Sequence, residues 1–151
     1  MPQSHAKVYL HIVFSTKNRD PFLSNDDVRN EMHTYLGGTC NKLGCQILIV
    51  GGVADHIHIL CMYVRTMTIG DLVGDIKRDS SKWVKRKGGI LSKFAWQNGY
   101  SVFSVGLSEI ERLRYYIAKQ EGHHKKVTFQ DEMREYFKKY NVDYDERYVW
   151  D

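Results

Sequence analysis

The chain has 151 residues, of which 42% are hydrophobic, and its formal net charge is +4. This length suits one ordinary domain with its own core, spanning residues 1–151, so we expect no linker and no second domain. Its three cysteines are odd in number and lack a Cys-x-x-Cys pair, which argues against a disulfide framework or a structural zinc site. There is no secretory signal pattern and no bilayer-length apolar run, so we expect a cytoplasmic protein without membrane contact.

The first half of the chain predicts three strands and one helix. Residues 7–15 alternate between apolar and polar positions, as in a strand with one buried face. Ser24 or Asn25 can cap a first helix that ends near Gly44. Residues 45–53 and 56–64 then predict two strands joined by a short loop, which is typical of an antiparallel hairpin.

The second half predicts three more helices and a fourth strand. Thr68 can cap a second helix that stops at Gly88, and residues 100–105 predict the strand. A third helix is expected to start at Ser108, where Glu111 completes a capping box, and a fourth spans residues 128–140. The order indicates an α+β fold of the ferredoxin-like, split βαβ type, with a central antiparallel sheet and additional C-terminal helices. We expect helices on one sheet face, which leaves the other face for function.

A His-x-His triplet begins the third predicted strand. Because strand side chains alternate between faces, His56 and His58 would share a face about 6 to 7 Å apart, which suits two ligands of one metal ion. Such a triplet is weak evidence alone, since most of them are structural or incidental. Asp55, just before it, either orients a ligand histidine or makes the hairpin turn.

The third predicted helix carries a tyrosine and a glutamine four residues apart. Tyr116 and Gln120 therefore share a helix face, and the apolar stripe places Tyr116 at the edge of the buried face, with Tyr115 nearly opposite. If this helix lies over the histidines, the amide completes a metal site beside a phenol. His123 and His124 follow; they either assist at the metal or end the helix, and we favour the second reading.

Basic residues are concentrated in one segment. Between residues 76 and 94 there are seven lysines and arginines against Asp79 alone, whereas the chain turns acidic after Phe129. The segment is a candidate phosphate-binding surface, although a solvated helix face explains the same charges.

Taken together, these segments resemble the single-tyrosine HUH transposases of bacterial and archaeal insertion sequences, the IS200-like transposases. The resemblance rests on residues 55–60, the basic helix, residues 96–105 and residues 116–124, and it covers nearly the whole chain. It implies that His56, His58 and Gln120 bind Mg²⁺ or Mn²⁺ and that Tyr116 is the nucleophile. Family members often carry Asn before the glutamine, where this chain has Lys119.

The resemblance also implies a reaction and its partners. A DNA transposase of this type cleaves and rejoins single-stranded, hairpin-containing ends of a mobile element through a 5′-phosphotyrosine, and it acts as a homodimer. Two imidazoles and an amide are neutral ligands, so the metal would keep its charge for the phosphate oxygens. The sequence indicates no general base. The candidate DNA contacts are His11, Lys17, Arg19, Lys77, Arg78, Lys82, Lys85 and Arg86.

Two alternatives stay open at this point. A domesticated relative would process chromosomal repeats with the same site. A noncatalytic ferredoxin-like module would bind nucleic acid through its basic helix, with incidental histidines.

Overall fold

The sheet has four antiparallel strands in the computed structural model, which describes residues 2–151. The strands are β1 (Val8–Ser15), β2 (Ile47–Gly52), β3 (His56–Tyr63) and β4 (Ser101–Val105), and their order across the sheet is β2-β3-β1-β4. The two middle strands, β1 and β3, are the ones that alternate most regularly in sequence. The predicted α+β fold and the antiparallel hairpin of β2 and β3 are confirmed.

Two long helices cover one face of the sheet. Helix α1 spans Asp26–Lys42 and helix α2 spans Ile69–Lys85. Asn25 and Thr68 cap them as expected, because each side chain accepts a hydrogen bond from the backbone N–H three residues on, at 3.0 Å. Their apolar stripes pack on alternate residues of the central strands. The strand side chains of this core are Leu10, Ile12, Phe14, Ile57, Ile59 and Cys61.

Three shorter helices cover the opposite face, which we expected to be open. They are α3 (Ile110–Ala118), α4 (Gln120–His123) and α5 (Phe129–Lys139). Helix α3 packs on Leu60, while the apolar side of α5 packs on Val13 and Phe103. The functional side chains therefore lie in a layer between sheet and helices, and not on a free surface.

The predicted capping box of the third helix is wrong. Ser108 lies inside a 3₁₀ turn, Leu107–Glu109, and the helix begins only at Ile110 without any side-chain cap. A serine in the middle of a turn cannot occupy the N-cap position, so the pairing with Glu111 is lost.

All three cysteines are unpaired and buried, as thiols without a disulfide partner. Within residues 2–151 no helix combines the length and apolar character needed to cross a membrane.

Candidate metal and tyrosine site

The two histidines of β3 point into the layer between the sheet and the C-terminal helices. His56 and His58 are fully buried, and their ring centroids are 5.3 Å apart. His56 Nδ1 lies 2.7 Å from Asp55 Oδ1, and His58 Nδ1 lies 2.8 Å from His11 Nε2. Both rings are thus held at the δ nitrogen, which directs both ε nitrogens toward the helices.

Asp55 has the first of the two roles that the sequence left open, because its carboxylate lies 2.7 Å from His56 Nδ1 and orients that ring. Its backbone carbonyl accepts the N–H of Thr16 at 2.8 Å, which joins the loop before β3 to the end of β1.

His11 is not at the protein surface, where a DNA contact was expected. It is fully buried on β1 and stacks on the ring of His58 at 5.1 Å. Burial first, and the neighbouring His58 second, hold the pKa of His11 well below its usual value. A neutral imidazole at this position orients His58 and has no exposed edge for a phosphate.

A glycine on β2 allows the tyrosine helix to approach the sheet. Gly51 pairs with His58 across the ladder. A Cβ atom at Gly51 would lie 2.5 Å from the backbone oxygen of Ile117 on α3, so only glycine permits this packing. The helix backbone consequently sits directly beside the histidine pair.

Tyr116 and Gln120 lie on this segment but on two separate helices. Lys119 interrupts the helix with φ −101° and ψ 18°, so α3 ends before it and α4 begins after it. Gln120 is buried all the same, and its Oε1 lies 3.3 Å from His56 Nε2. The ring of Tyr116 is 6.0 Å from that of His58, while Tyr115 is 68% exposed. The structure therefore brings His56, His58, Gln120 and Tyr116 together.

Glu132, which was not predicted from the sequence, is a buried carboxylate on α5 at the centre of this cluster. Glu132 Oε1 lies 3.0 Å from His58 Nε2 and 3.5 Å from His56 Nε2. Its other oxygen accepts hydrogen bonds from Tyr116 Oη and from Gln120 Nε2. One sequence signal was available: Glu132 lies on the side of α5 that carries Phe129 and Met133, where a charged residue needs a buried partner.

His124 also belongs to the cluster, contrary to the reading that it merely ends a helix. It follows the last residue of α4, its side chain is 8% exposed, and its Nε2 lies 3.2 Å from Glu132 Oε2. His123 is more exposed, at 32% of its side chain, although its Nε2 lies 3.4 Å from the same Glu132 oxygen.

The pKa values at the site are set mainly by burial and by the charge of one carboxylate, that of Glu132. Burial favours neutral His56, but hydrogen bonds to Asp55 and Glu132 outweigh it and raise the pKa of His56 to about 9. Burial lowers the pKa of His58. Burial and the nearby Glu132 charge raise the pKa of Tyr116, so the phenol is protonated at rest. For Glu132, the surrounding histidines outweigh burial and lower the pKa of the carboxyl group.

The cluster fits a metal ion. The four ligand atoms offered by His56, His58, His124 and Glu132 lie within 4.8 Å of one another, close enough to share one ion. Buried His124 Nε2 makes no hydrogen bond within the described chain although it faces a carboxylate. The carboxylate changes the expected donor set, which had only neutral ligands.

Two clefts reach Tyr116 from the surface. One, of about 570 Å³, is lined by aromatic rings of Tyr116, Tyr136 and Tyr140 and by the cations Arg112 and Lys139. The other is lined by Tyr115, His123 and Lys119, and it shares Arg112 and Tyr116 with the first.

The basic residues of α2 lie on the opposite side of the sheet. Lys82, Lys85 and Arg86 are exposed there, and Arg78 pairs with Asp75 at 2.6 Å. The layers of the fold thus separate these predicted DNA contacts from the tyrosine.

Three other predicted DNA contacts have different surroundings. Lys77 donates to the carbonyls of Gln97 and Gly99 at 2.7 and 2.6 Å, which gives it a structural role within the chain. Lys17 is exposed on the turn after β1, and Arg19 lines a cleft that also contains His124.

Comparison with known proteins places the fold and the family. A candidate transposase from Deinococcus radiodurans R1 superposes with a TM-score of 0.61 at 21% identity, covering 80% of this chain and 98% of that one. A REP-associated tyrosine transposase bound to a REP hairpin superposes with a TM-score of 0.60 at 12% identity, covering 84% and 74%. No curated protein sequence matches the chain. Residues 4–120 match the family described as "Transposase IS200 like". The chain therefore belongs to the IS200-like transposase family.

Proposed function

We propose that the protein cleaves and rejoins single-stranded DNA at the ends of a mobile element, through a 5′-phosphotyrosine on Tyr116. The observation that carries this proposal is the shared contact at Glu132. One carboxylate oxygen accepts the Tyr116 phenol, and the other faces His58 Nε2 at 3.0 Å. The nucleophile and the metal-binding histidines thus lie on either side of a single carboxylate.

The cofactor in this proposal is Mg²⁺ or Mn²⁺, bound by His56, His58 and Gln120. When bound, a divalent ion supplies polarisation of the scissile phosphate. Asp55 and His11 orient the two imidazoles through their δ nitrogens at 2.7 and 2.8 Å.

In the cleavage step, Tyr116 Oη attacks phosphorus and the bond from phosphorus to the 3′ oxygen of the preceding nucleotide breaks. The phenol loses its proton, and the released 3′ oxygen gains one. Before attack, Glu132 holds the phenol O–H in a hydrogen bond. The phosphodiester energy is conserved in the phosphotyrosine, so a later attack by a 3′-OH rejoins DNA without a nucleoside triphosphate.

The single-stranded segment lies in the cleft beside Tyr116 in this proposal. Aromatic rings stack on unpaired bases, and cations neutralise phosphates, so Tyr136, Tyr140, Arg112 and Lys139 form a suitable lining. The hairpin named for the REP-associated neighbour supports hairpin-containing ends as the substrate.

The active form in this proposal is a homodimer, because one tyrosine holds only one DNA end. Tyr116 contacts histidines of its own chain, which supports catalysis in cis. Mixing Tyr116→Phe with His58→Ala protein checks this arrangement. A cis site leaves the mixture inactive, whereas tyrosine exchange between chains restores one complete site.

The decisive experiment incubates the protein with 5′-labelled and 3′-labelled single-stranded element ends and Mn²⁺ or Mg²⁺, followed by denaturing gels. We expect a metal-dependent covalent adduct that disappears in Tyr116→Phe. Tyr115→Phe is the matched control, since the Tyr115 side chain is 68% exposed whereas the Tyr116 phenol donates to buried Glu132. An adduct that survives Tyr116→Phe would overturn the assignment. Tight hairpin binding without any adduct would favour the noncatalytic module.

A further inference from the structure

The site contains two further side chains of the kind that bind metal ions, and both come after the segment that matches the family. The match ends at residue 120, whereas His124 and Glu132 follow it, on the turn after α4 and on α5. Both side chains nevertheless reach the same cluster as His56 and His58. The turn after α4 and helix α5 thus supply side chains to the site from outside the matched segment.

Glu132 lies beside both histidines of β3. Its Oε1 is 3.0 Å from His58 Nε2 and 3.5 Å from His56 Nε2. Its side chain is only 2% exposed. A buried carboxylate is costly unless a cation or several donors neutralise it, and a bound divalent ion does so most effectively.

His124 provides the independent observation. Its Nε2 is buried and lacks a hydrogen bond within residues 2–151, yet it lies 3.2 Å from Glu132 Oε2. Nε2 is thus close to the carboxylate without the alignment of a hydrogen bond, whereas an ion bound by both atoms lies off the line between them. The pair is therefore arranged for a shared cation.

We propose that His124 and Glu132 are metal ligands that act with His56, His58 and Gln120. This inference rests on the metal dependence of the proposed function and goes beyond the ligand set that the resemblance implies. Three imidazoles beside one carboxylate and one amide favour transition metals over Mg²⁺, which prefers oxygen ligands and water. We therefore expect Mn²⁺, Co²⁺ or Zn²⁺ at this site, with Glu132 joining the metal centre to the Tyr116 phenol.

Calorimetric titration of the purified chain with Mn²⁺ tests the inference without any DNA. We expect Glu132→Gln and His124→Ala each to weaken Mn²⁺ binding by roughly 100-fold or more, because loss of a residue that only orients a ligand already costs roughly 10- to 100-fold. Glu135→Gln is the matched control, since Glu135 is exposed on the same helix. This control should change affinity less than about threefold. Circular dichroism melts verify that each variant is folded.

Co²⁺ absorption spectra provide a second readout. Loss of an imidazole or a carboxylate ligand changes the visible bands of bound Co²⁺, whereas a purely structural role leaves them unchanged. An excess of Mg²⁺ should not displace the Co²⁺.

The outcomes separate the two proposals. If the wild type binds Mn²⁺ and both variants bind it equally well, the added ligands are wrong and the proposed function is unaffected. If the wild type binds no divalent metal, the metal dependence of the proposed function is wrong as well. Displacement of Co²⁺ by the excess of Mg²⁺ would overturn the expected metal preference.

Discussion

The two faces of the central sheet differ sharply although the same strands form them. On β3, Ile57 and Ile59 point toward α1 and α2 into an apolar core, while His56 and His58 point toward α3, α4 and α5. All four side chains are fully buried. The apolar face stabilises the fold by removing hydrocarbon from water, whereas the polar face keeps imidazoles and a carboxylate in a layer with little solvent. Burial in this protein therefore serves stability on one face and chemistry on the other.

The largest contrast in unfolding free energy and metal binding is expected between substitutions at two adjacent residues of β3. Ile59→Ala should lower the free energy of unfolding by roughly 2–5 kcal/mol, because it leaves a cavity in the apolar core. His58→Ala should lower it much less but should abolish Mn²⁺ binding. Urea denaturation and calorimetry on both variants measure the two effects. Equal losses of stability would show that the two faces do not divide these tasks.

A smaller effect is expected where the tyrosine helix touches the sheet. Gly51→Ala forces a Cβ against Ile117 and should cost roughly 1–3 kcal/mol, with weaker metal binding as α3 moves. Gly74→Ala is the control in α2, where no atom lies within 4 Å of the added Cβ. It should stabilise the protein by about 0.5–1 kcal/mol. Denaturation curves of both variants test the contrast, and an unchanged Gly51→Ala would contradict the close approach.

The pH dependence of stability should have opposite signs for two histidines. Burial, and then Arg29, lower the pKa of His33 on α1 to about 4, so its contribution is complete above pH 6.5 and is lost as the pH falls toward 4. The pKa of His56 is raised to about 9, so its contribution is complete below pH 6.5 and is lost as the pH rises through 9.

Denaturation in EDTA between pH 4 and 10 checks both signs. His33→Gln should flatten the acidic side of the profile and His56→Gln the alkaline side, each by on the order of 1 kcal/mol. A His56→Gln profile that still falls above pH 7 would contradict the raised pKa.

The smallest effect concerns which side of the sheet binds DNA. Replacing Arg112 and Lys139 by Gln should reduce the slope of log DNA affinity against log salt concentration. The reduction should correspond to the loss of about two phosphate contacts. Replacing Lys82 and Lys85 on α2 should leave the slope nearly unchanged, since they lie across the sheet from Tyr116. Fluorescence anisotropy at several salt concentrations measures both slopes. A larger change in the α2 variant would restore the DNA surface predicted from sequence.

Local patterns were enough to predict the elements. Strand alternation and the caps at Asn25 and Thr68 are short-range signals, and both are present in the structure. The prediction failed at Ser108 and at Lys119, where a 3₁₀ turn and a helix break depend on packing against the sheet. The phase of α3 was nevertheless read correctly, because Tyr115 is exposed.

By itself, the sequence determined the α+β element order, the shared face of His56 and His58, and the phase that separates Tyr116 from Tyr115. These properties follow from the periods of a strand and a helix, which act over a few residues. Only the tertiary structure decided that His11 supports His58 and that Glu132 enters the cluster, since these contacts join residues 47 and 74 positions apart. Contacts at such separations depend on how the helices pack on the sheet, which no local period encodes.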